Sequence, residues 1–183
     1  MQISGLNINK FNINKCNINK IDKTIFINFL YNNMSNLSEL DQTDIVLFHN
    51  IAKRVYNELG PGHNEKIYQK AMKYELDLHN IPVDMESHVT VTYCDSSGNI
   101  HNLESERIDL FIHANPPKIA ELKAVQRNIQ ETEKVQIRKY FKELNKLGTY
   151  VPYGLLINFP QPNSKETRTD VDFEVVLNDI SKP

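Results

Sequence analysis

The chain has 183 residues, 40% hydrophobic and 24% charged, with a formal net charge of −2. It is long enough for one domain with a proper core and too short for two, and its composition is that of a soluble globular protein. The balanced charge gives no global basic footprint for nucleic acid, and two cysteines can supply neither a disulfide framework nor the four thiolates of an iron–sulfur cluster.

The chain opens on a five-residue repeat, Leu6-Asn7-Ile8-Asn9-Lys10, Phe11-Asn12-Ile13-Asn14-Lys15 and Cys16-Asn17-Ile18-Asn19-Lys20. That period fits neither a helix nor a strand face. It resembles the pentapeptide-repeat pattern, but three copies fall short of a self-supporting solenoid. Residues 1–38 are therefore expected to be a low-complexity, disordered extension, with residues 39–183 as the compact domain. The opening Met1 to Asn7 lacks the charged-then-apolar pattern of a secretory signal, and the apolar run Thr24 to Tyr31 is too short for a bilayer. The expectation is an intracellular, soluble protein of cytoplasm or nucleus, with no membrane partner.

From Thr43 to Leu59 apolar residues recur at helical spacing, and Gly60 supplies a stop. After Pro61-Gly62 a second helix is predicted to about Asn80, with Ile67, Tyr68, Ala71, Met72 and Leu78 towards the core; Ile81-Pro82 breaks it. Val89 to Tyr93 alternates as a strand and ends at the turn signal Asp95 to Gly98. A long polar linker then leads to two short apolar strands, around Ser105–Ile112 and Ile119–Ala124, separated by a Pro-Pro turn. A third helix spans about Glu131 to Leu147. Tyr153 to Phe159 reads as a buried strand of the parallel-sheet type, and Val171 to Leu177 as a last strand near an edge. The order α-α-β-β-β-α-β-β implies an α/β fold, a mixed β-sheet flanked by helices.

The two strands after the linker carry the chemistry. Asp109 is expected to open the first, and Glu121 and Lys123, at i and i+2 on the second, share a face. Charge inside a core is costly unless it is paired or binds a metal. Asp109 and Glu121, with the Leu122 carbonyl, offer the hard oxygens that Mg²⁺ or Mn²⁺ takes, and Lys123 would stand beside an attacking water or the charge of a phosphoryl transition state. Spacing alone leaves open a half-exposed strand on which Glu121 and Lys123 point outward and Asp109 caps a turn.

Further motifs stand in order around these strands. Gly62-His63-Asn64-Glu65-Lys66-Ile67-Tyr68 precedes them; Gln136-Ile137-Arg138-Lys139-Tyr140 and Gly154 to Phe159 follow. Together with Arg107-Ile108-Asp109-Leu110 and Glu121-Leu122-Lys123-Ala124, this set resembles the GxxExxY protein family of the PD-(D/E)XK nuclease superfamily. The helix motif is similar to the QxxxY motif of RecB-like exonucleases. The resemblance covers residues 41–160 and implies a restriction-endonuclease-like core. It implies Asp109 and Glu121 as metal ligands, Lys123 as the catalytic lysine, and Glu65 as a helix-borne acid on the metal or its water. Gln136 and Tyr140 would line the site and contact that water or the DNA backbone. Ile108 stands where the superfamily's name puts Pro, a position its members often vary.

Each feature has a plainer reading beside this one. Glu65 in a helix first turn is favoured by the macrodipole and suits a capping box. Arg107 is either a phosphate contact or a salt-bridge partner. Lys134, Arg138, Lys142 and Lys146 recur every four residues, a stripe that would track a phosphate backbone or simply face solvent. The histidines show no zinc spacing, and no phosphate-binding nucleotide loop is present. The sequence thus points to a metal-dependent nuclease acting on nucleic acid, DNA first, alone, as a homodimer or in a larger complex. The rival is a catalytically inactive nuclease-like module that binds nucleic acid or protein, and a third reading makes the N-terminal arm an assembly tag.

Overall fold

The computed structural model describes residues 37–162 and 170–180. The Asn-Ile-Asn-Lys repeat and the apolar run at residues 24–31 lie outside the described residues. The chain divides into two compact units, Met1–Ile45 and Val46–Pro183. In the first, the start of helix α1 (Glu39–Leu59) is described. Ser38 caps it, accepting the Asp41 N–H at 3.2 Å and donating to Asp41 Oδ2 at 2.8 Å. The helix therefore begins before Thr43, because a polar first turn held by a cap is invisible to apolar periodicity.

The second unit holds a five-stranded sheet in the order β1-β2-β3-β4-β5. The strands are β1 (Val83–Cys94), β2 (Ile100–Ile112), β3 (Lys118–Lys123), β4 (Tyr153–Asn158) and β5 (Asp172–Leu177), with α2 (Glu65–Leu78) before them and α3 (Glu131–Lys146) between β3 and β4. Only β3 and β4 run parallel, as the βαβ crossover through α3 requires; the other neighbours are antiparallel. The expected mixed α/β sheet is the one found, with the last strand at an edge. No helix among the described residues is long and apolar enough to cross a membrane.

Two sequence expectations need correcting. The long polar linker is strand: β1 and β2 form a hairpin closed at Asp95–Asn99, and the outer part of β2, Ile100–Ser105, is exposed on both faces and so gives no alternation to read. Asp109 accordingly lies deep inside β2 and does not open it. On α2 the buried face is Tyr68, Gln69, Met72 and Leu76, whereas Ile67 and Leu78 are exposed. A glutamine takes a core position because its amide has a partner there, described below.

Helix α3 packs on the sheet through Ile137, Tyr140, Phe141 and Leu144, against Ile119, Leu156 and Val176 on one side and Val89 and Ile108 on the other. It approaches closely at Gly154, where an added Cβ would stand 2.6 Å from Ile137 Cγ2 and 3.1 Å from Ile119 Cγ1. Gly154→Ala is therefore expected to overpack this contact and destabilise the fold by about 1–3 kcal/mol, read from denaturant unfolding. On α2, Tyr68 stacks on Phe159 with centroids 4.3 Å apart and donates its hydroxyl to the Gly60 carbonyl at 2.8 Å, tying the start of the helix to the end of β4.

Candidate active site

The site lies in the fork where β2 and β3 part. Their ladder runs through Ile112↔Lys118, Phe111↔Ile119 and Leu110↔Ala120, a register whose next rung would set Asp109 opposite Glu121. At that rung the backbone bond gives way to a side chain: the Leu122 N–H donates to Asp109 Oδ2 at 2.7 Å. Gln69, fully buried on α2, donates its amide to Asp109 Oδ1 at 2.8 Å. On the far side, β1 pairs Met85↔Leu110 and Ser87↔Ile108 and skips the rung between them, leaving Glu86 opposite Asp109 with its backbone at φ 56.

Side-chain alternation breaks at the same place. Glu106 and Ile108 face α3, the first pairing with Lys139 and the second packing in the α3 cluster. Phe111, at odd spacing from both, packs against that cluster too, beside its register partner Ile119. Even and odd positions of one strand share a face only if the strand turns over between them. The turn-over falls at Asp109, beside the left-handed Glu86.

Asp109 is 8% exposed and Glu121 3%, so neither sits on a half-exposed strand. Lys123 Nζ donates to Glu121 Oε1 at 2.5 Å, while Glu121 Oε2 is buried without a hydrogen-bond partner among the described residues. Burial, followed by the nearby Asp109 charge, pushes the Glu121 carboxyl up to about 7 despite Lys123. Burial likewise raises Asp109 and Glu65, and Asp109 adds to the shift of Glu65. Burial by itself would lower Lys123, but Glu121, Glu65 and Asp109 outweigh it and raise the ammonium. Three carboxyls that all resist ionisation mark a place short of positive charge.

Asp109, Glu121 and Glu65 line a cleft of about 550 Å³, with Lys66 beside Glu65 on the α2 wall and Thr132, Gln136, Lys139 and Tyr140 from α3 on another. Lys123 is not one of its lining residues and stands behind Glu121, to which it is bonded. Glu65 is the first residue of α2, whose cap is Asn64, accepting the Ile67 N–H at 3.3 Å; with Ile67 at the third helical position no capping box forms, and Glu65 has no part in one. Gln136 Nε2 donates to Tyr140 Oη at 2.6 Å, and the Tyr140 hydroxyl donates to the Arg107 carbonyl at 2.7 Å, fastening α3 to β2 at the mouth of the fork. Burial and then Glu121 raise the Tyr140 phenol, so it keeps the proton that it donates. The cleft cations are Lys66, Arg107 and Lys139; Arg107 is in an ion pair with Glu86, and Lys139 with Glu106 at 2.6 Å.

Lys134, Arg138 and Lys142 do not line the cleft. Lys134 is tied to Glu131 and Glu174, each at 2.7 Å, and Lys146 to Glu143 at 2.8 Å. The stripe has the same four-residue spacing as positions 132, 136 and 140 that face the site, but an offset of two residues, about 200° around the helix, puts it on the other side.

Among the described residues no group of three or more His, Cys, Asp or Glu side chains is placed to hold a metal ion. The donor set is smaller: two buried carboxylates, one of them with an orphaned oxygen. Mg²⁺ takes one or two carboxylates with water and phosphate completing its shell, so Asp109 and Glu121 fit that mode.

Residues 42–170 match the sequence model of the PD-(D/E)XK nuclease superfamily. The chain belongs to that superfamily. Its mixed sheet and flanking helices are accordingly the restriction-endonuclease-like fold. Among solved structures it is similar to the crystal structure of SSO0001, at 14% identity and a TM-score of 0.44, over 63% of this chain and 50% of that one. The chain thus spans half the length of that relative. No curated protein matches it.

Sequence reasoning overlooked Gln69, Glu86 and Lys139. Gln69 carried a faint signal, since it sits between Tyr68 and Met72 on the predicted core face of α2. Lys139 was passed over in favour of the regular stripe beside it. Nothing in the residues around Glu86 marks a left-handed backbone.

Proposed function

We propose that this chain is a divalent-metal-dependent nuclease that hydrolyses phosphodiester bonds in DNA. The observation that carries the reading is the buried pair Asp109 and Glu121 at the fork, with the orphaned Glu121 Oε2 and Lys123 beside them. A structural scaffold gains nothing from two like charges held there at the cost of desolvation.

Asp109 and Glu121, with the Leu122 carbonyl, would hold Mg²⁺ or Mn²⁺, and Glu65 would bond its water shell from the N-terminus of α2. The ion, when bound, supplies Lewis-acid polarisation of the scissile phosphate. Lys123, held by Glu121, places an ammonium where negative charge develops on the phosphoryl oxygens and where the attacking water stands. Gln69 and the Leu122 amide fix both oxygens of Asp109, so this carboxylate is oriented before substrate arrives. Gln136 and Tyr140 hold the wall against which the strand lies, and Arg107, Lys66 and Lys139 are placed to take flanking phosphates.

The test is cleavage of plasmid and of end-labelled single-stranded DNA and RNA with Mg²⁺, Mn²⁺ or EDTA, with Glu121→Ala alongside. DNA cleavage that needs metal and falls at least about a hundredfold in the variant is expected. Folded wild-type protein that binds the oligonucleotides without cutting them would favour the binding module instead.

A further inference from the structure

Glu86 is the one residue of the cleft whose backbone is left-handed, and it is not a glycine. At φ 56, with its rung to Asp109 skipped, it sits inside the edge strand β1, between the paired residues Met85 and Ser87. A non-glycine residue in that region is disfavoured by contact between its Cβ and the following carbonyl, so something must return the cost. Its side chain shows what does. The carboxylate reaches into the cleft and pairs with Nη1 of Arg107, and the other N–H groups of that guanidinium have no partner among the described residues. Arg107 lies on the part of β2 beyond the turn-over, with its side chain 57% exposed. An exposed arginine anchored at one nitrogen keeps its remaining donors in a fixed plane, the arrangement that suits a phosphate oxygen.

Resting on the nuclease reading above, we propose that Glu86 is a positioning residue, which acts through Arg107. Its left-handed backbone turns the carboxylate into the fork so that Arg107 is held ready for the phosphate next to the scissile one. The negative charge of Glu86 works against nucleic acid when it is considered alone, so a purely electrostatic role predicts tighter binding on its removal. A positioning role predicts weaker binding.

The experiment compares wild type with Glu86→Ala, Glu86→Gly, Arg107→Ala and the Glu86→Ala/Arg107→Ala pair. The measurements are the Kd of a fluorescein-labelled single-stranded DNA in EDTA, KM and kcat in Mn²⁺, and Tm. Glu86→Ala is expected to raise Kd and KM about tenfold with kcat held within about twofold, since a ground-state phosphate contact is lost. The double variant is expected to be no worse than Arg107→Ala, because both changes act on one contact. Glu86→Gly is expected to melt about 3 °C above Glu86→Ala, since glycine adopts this backbone freely. Unchanged or tighter binding by Glu86→Ala, or additive losses in the double variant, would overturn the proposal while leaving the nuclease reading standing. A glycine variant no more stable than the alanine one would overturn the backbone argument. Wild type that neither binds nor cuts DNA would end both readings.

Discussion

Lys123→Ala is expected to lose roughly 10³-fold in DNA cleavage while still melting higher in the presence of Mn²⁺; Glu121→Gln is expected to lose both. The split follows from where each group sits. Glu121 has one oxygen on Lys123 and the other buried with no partner, so it is the group on which a cation would act most directly. An amide in its place keeps the shape and one acceptor but removes the charge. At metal concentrations about a hundredfold above Kd, binding to the native state is worth about 2.7 kcal/mol. In a chain of this size that corresponds to a rise in Tm of about 5 °C or more. The glutamine variant should show none of it. Lys123 supplies no ligand, so its removal spares the linkage and strikes the chemical step. Cleavage by Lys123→Ala at the wild-type rate would move the chemistry away from this fork. A metal-dependent Tm shift that survives Glu121→Gln would move the metal.

Without metal, the protein is expected to lose stability as pH rises from about 5 to about 8. Glu121 is raised from its ordinary 4.5 to about 7, first by burial and then by Asp109. Between those values the folded state holds a proton that the unfolded chain has released. Stability follows the difference in bound protons, so it falls through this window as Glu121 is forced to ionise in place. Asp109 and Glu65 are shifted in the same direction and add to the fall. The acids with the opposite shift act at more acidic pH: Asp95 is lowered to about 2 by its hydrogen bonds with His101 and Asn99, and Glu131, Glu133 and Glu143 are lowered by their Lys or Arg partners, for the last two against burial. Thermal melts in EDTA at half-unit steps would show the slope. Glu121→Gln should flatten it and melt above wild type at pH 8, and added Mg²⁺ should remove it by favouring the carboxylate. A metal-free Tm that climbs across the same range would contradict the burial account of this site.

Asp109, Glu121 and Lys123 were legible as charge in apolar runs, but spacing left a half-exposed strand open, and only the burial of Asp109 and Glu121 at one fork decides against it. The element order was legible too, since α1, α2, α3 and β4 each carry a period or an unbroken apolar run. The outer part of β2 was not, because Ile100–Ser105 is exposed on both faces and gives no pattern. Gln69 was hidden by its polarity, although a buried amide that serves a carboxylate has the same claim to the core as a leucine. The turn-over at Asp109 lies beyond any two-residue period: Ile108 and Phe111 both look inward-facing, and only the break between them shows that one strand uses both of its sides.

The missing side chain of Gly154 has a reach well past local packing. Ile137 and Phe141, the two α3 residues that rest near it, are next in sequence to Gln136 and Tyr140. The separation between the helix and the sheet floor is thereby also the gauge of the cleft. A single methyl at residue 154 would act as a shim, lifting the wall that carries Gln136 and Tyr140 away from the carboxylates without altering any residue that meets the substrate.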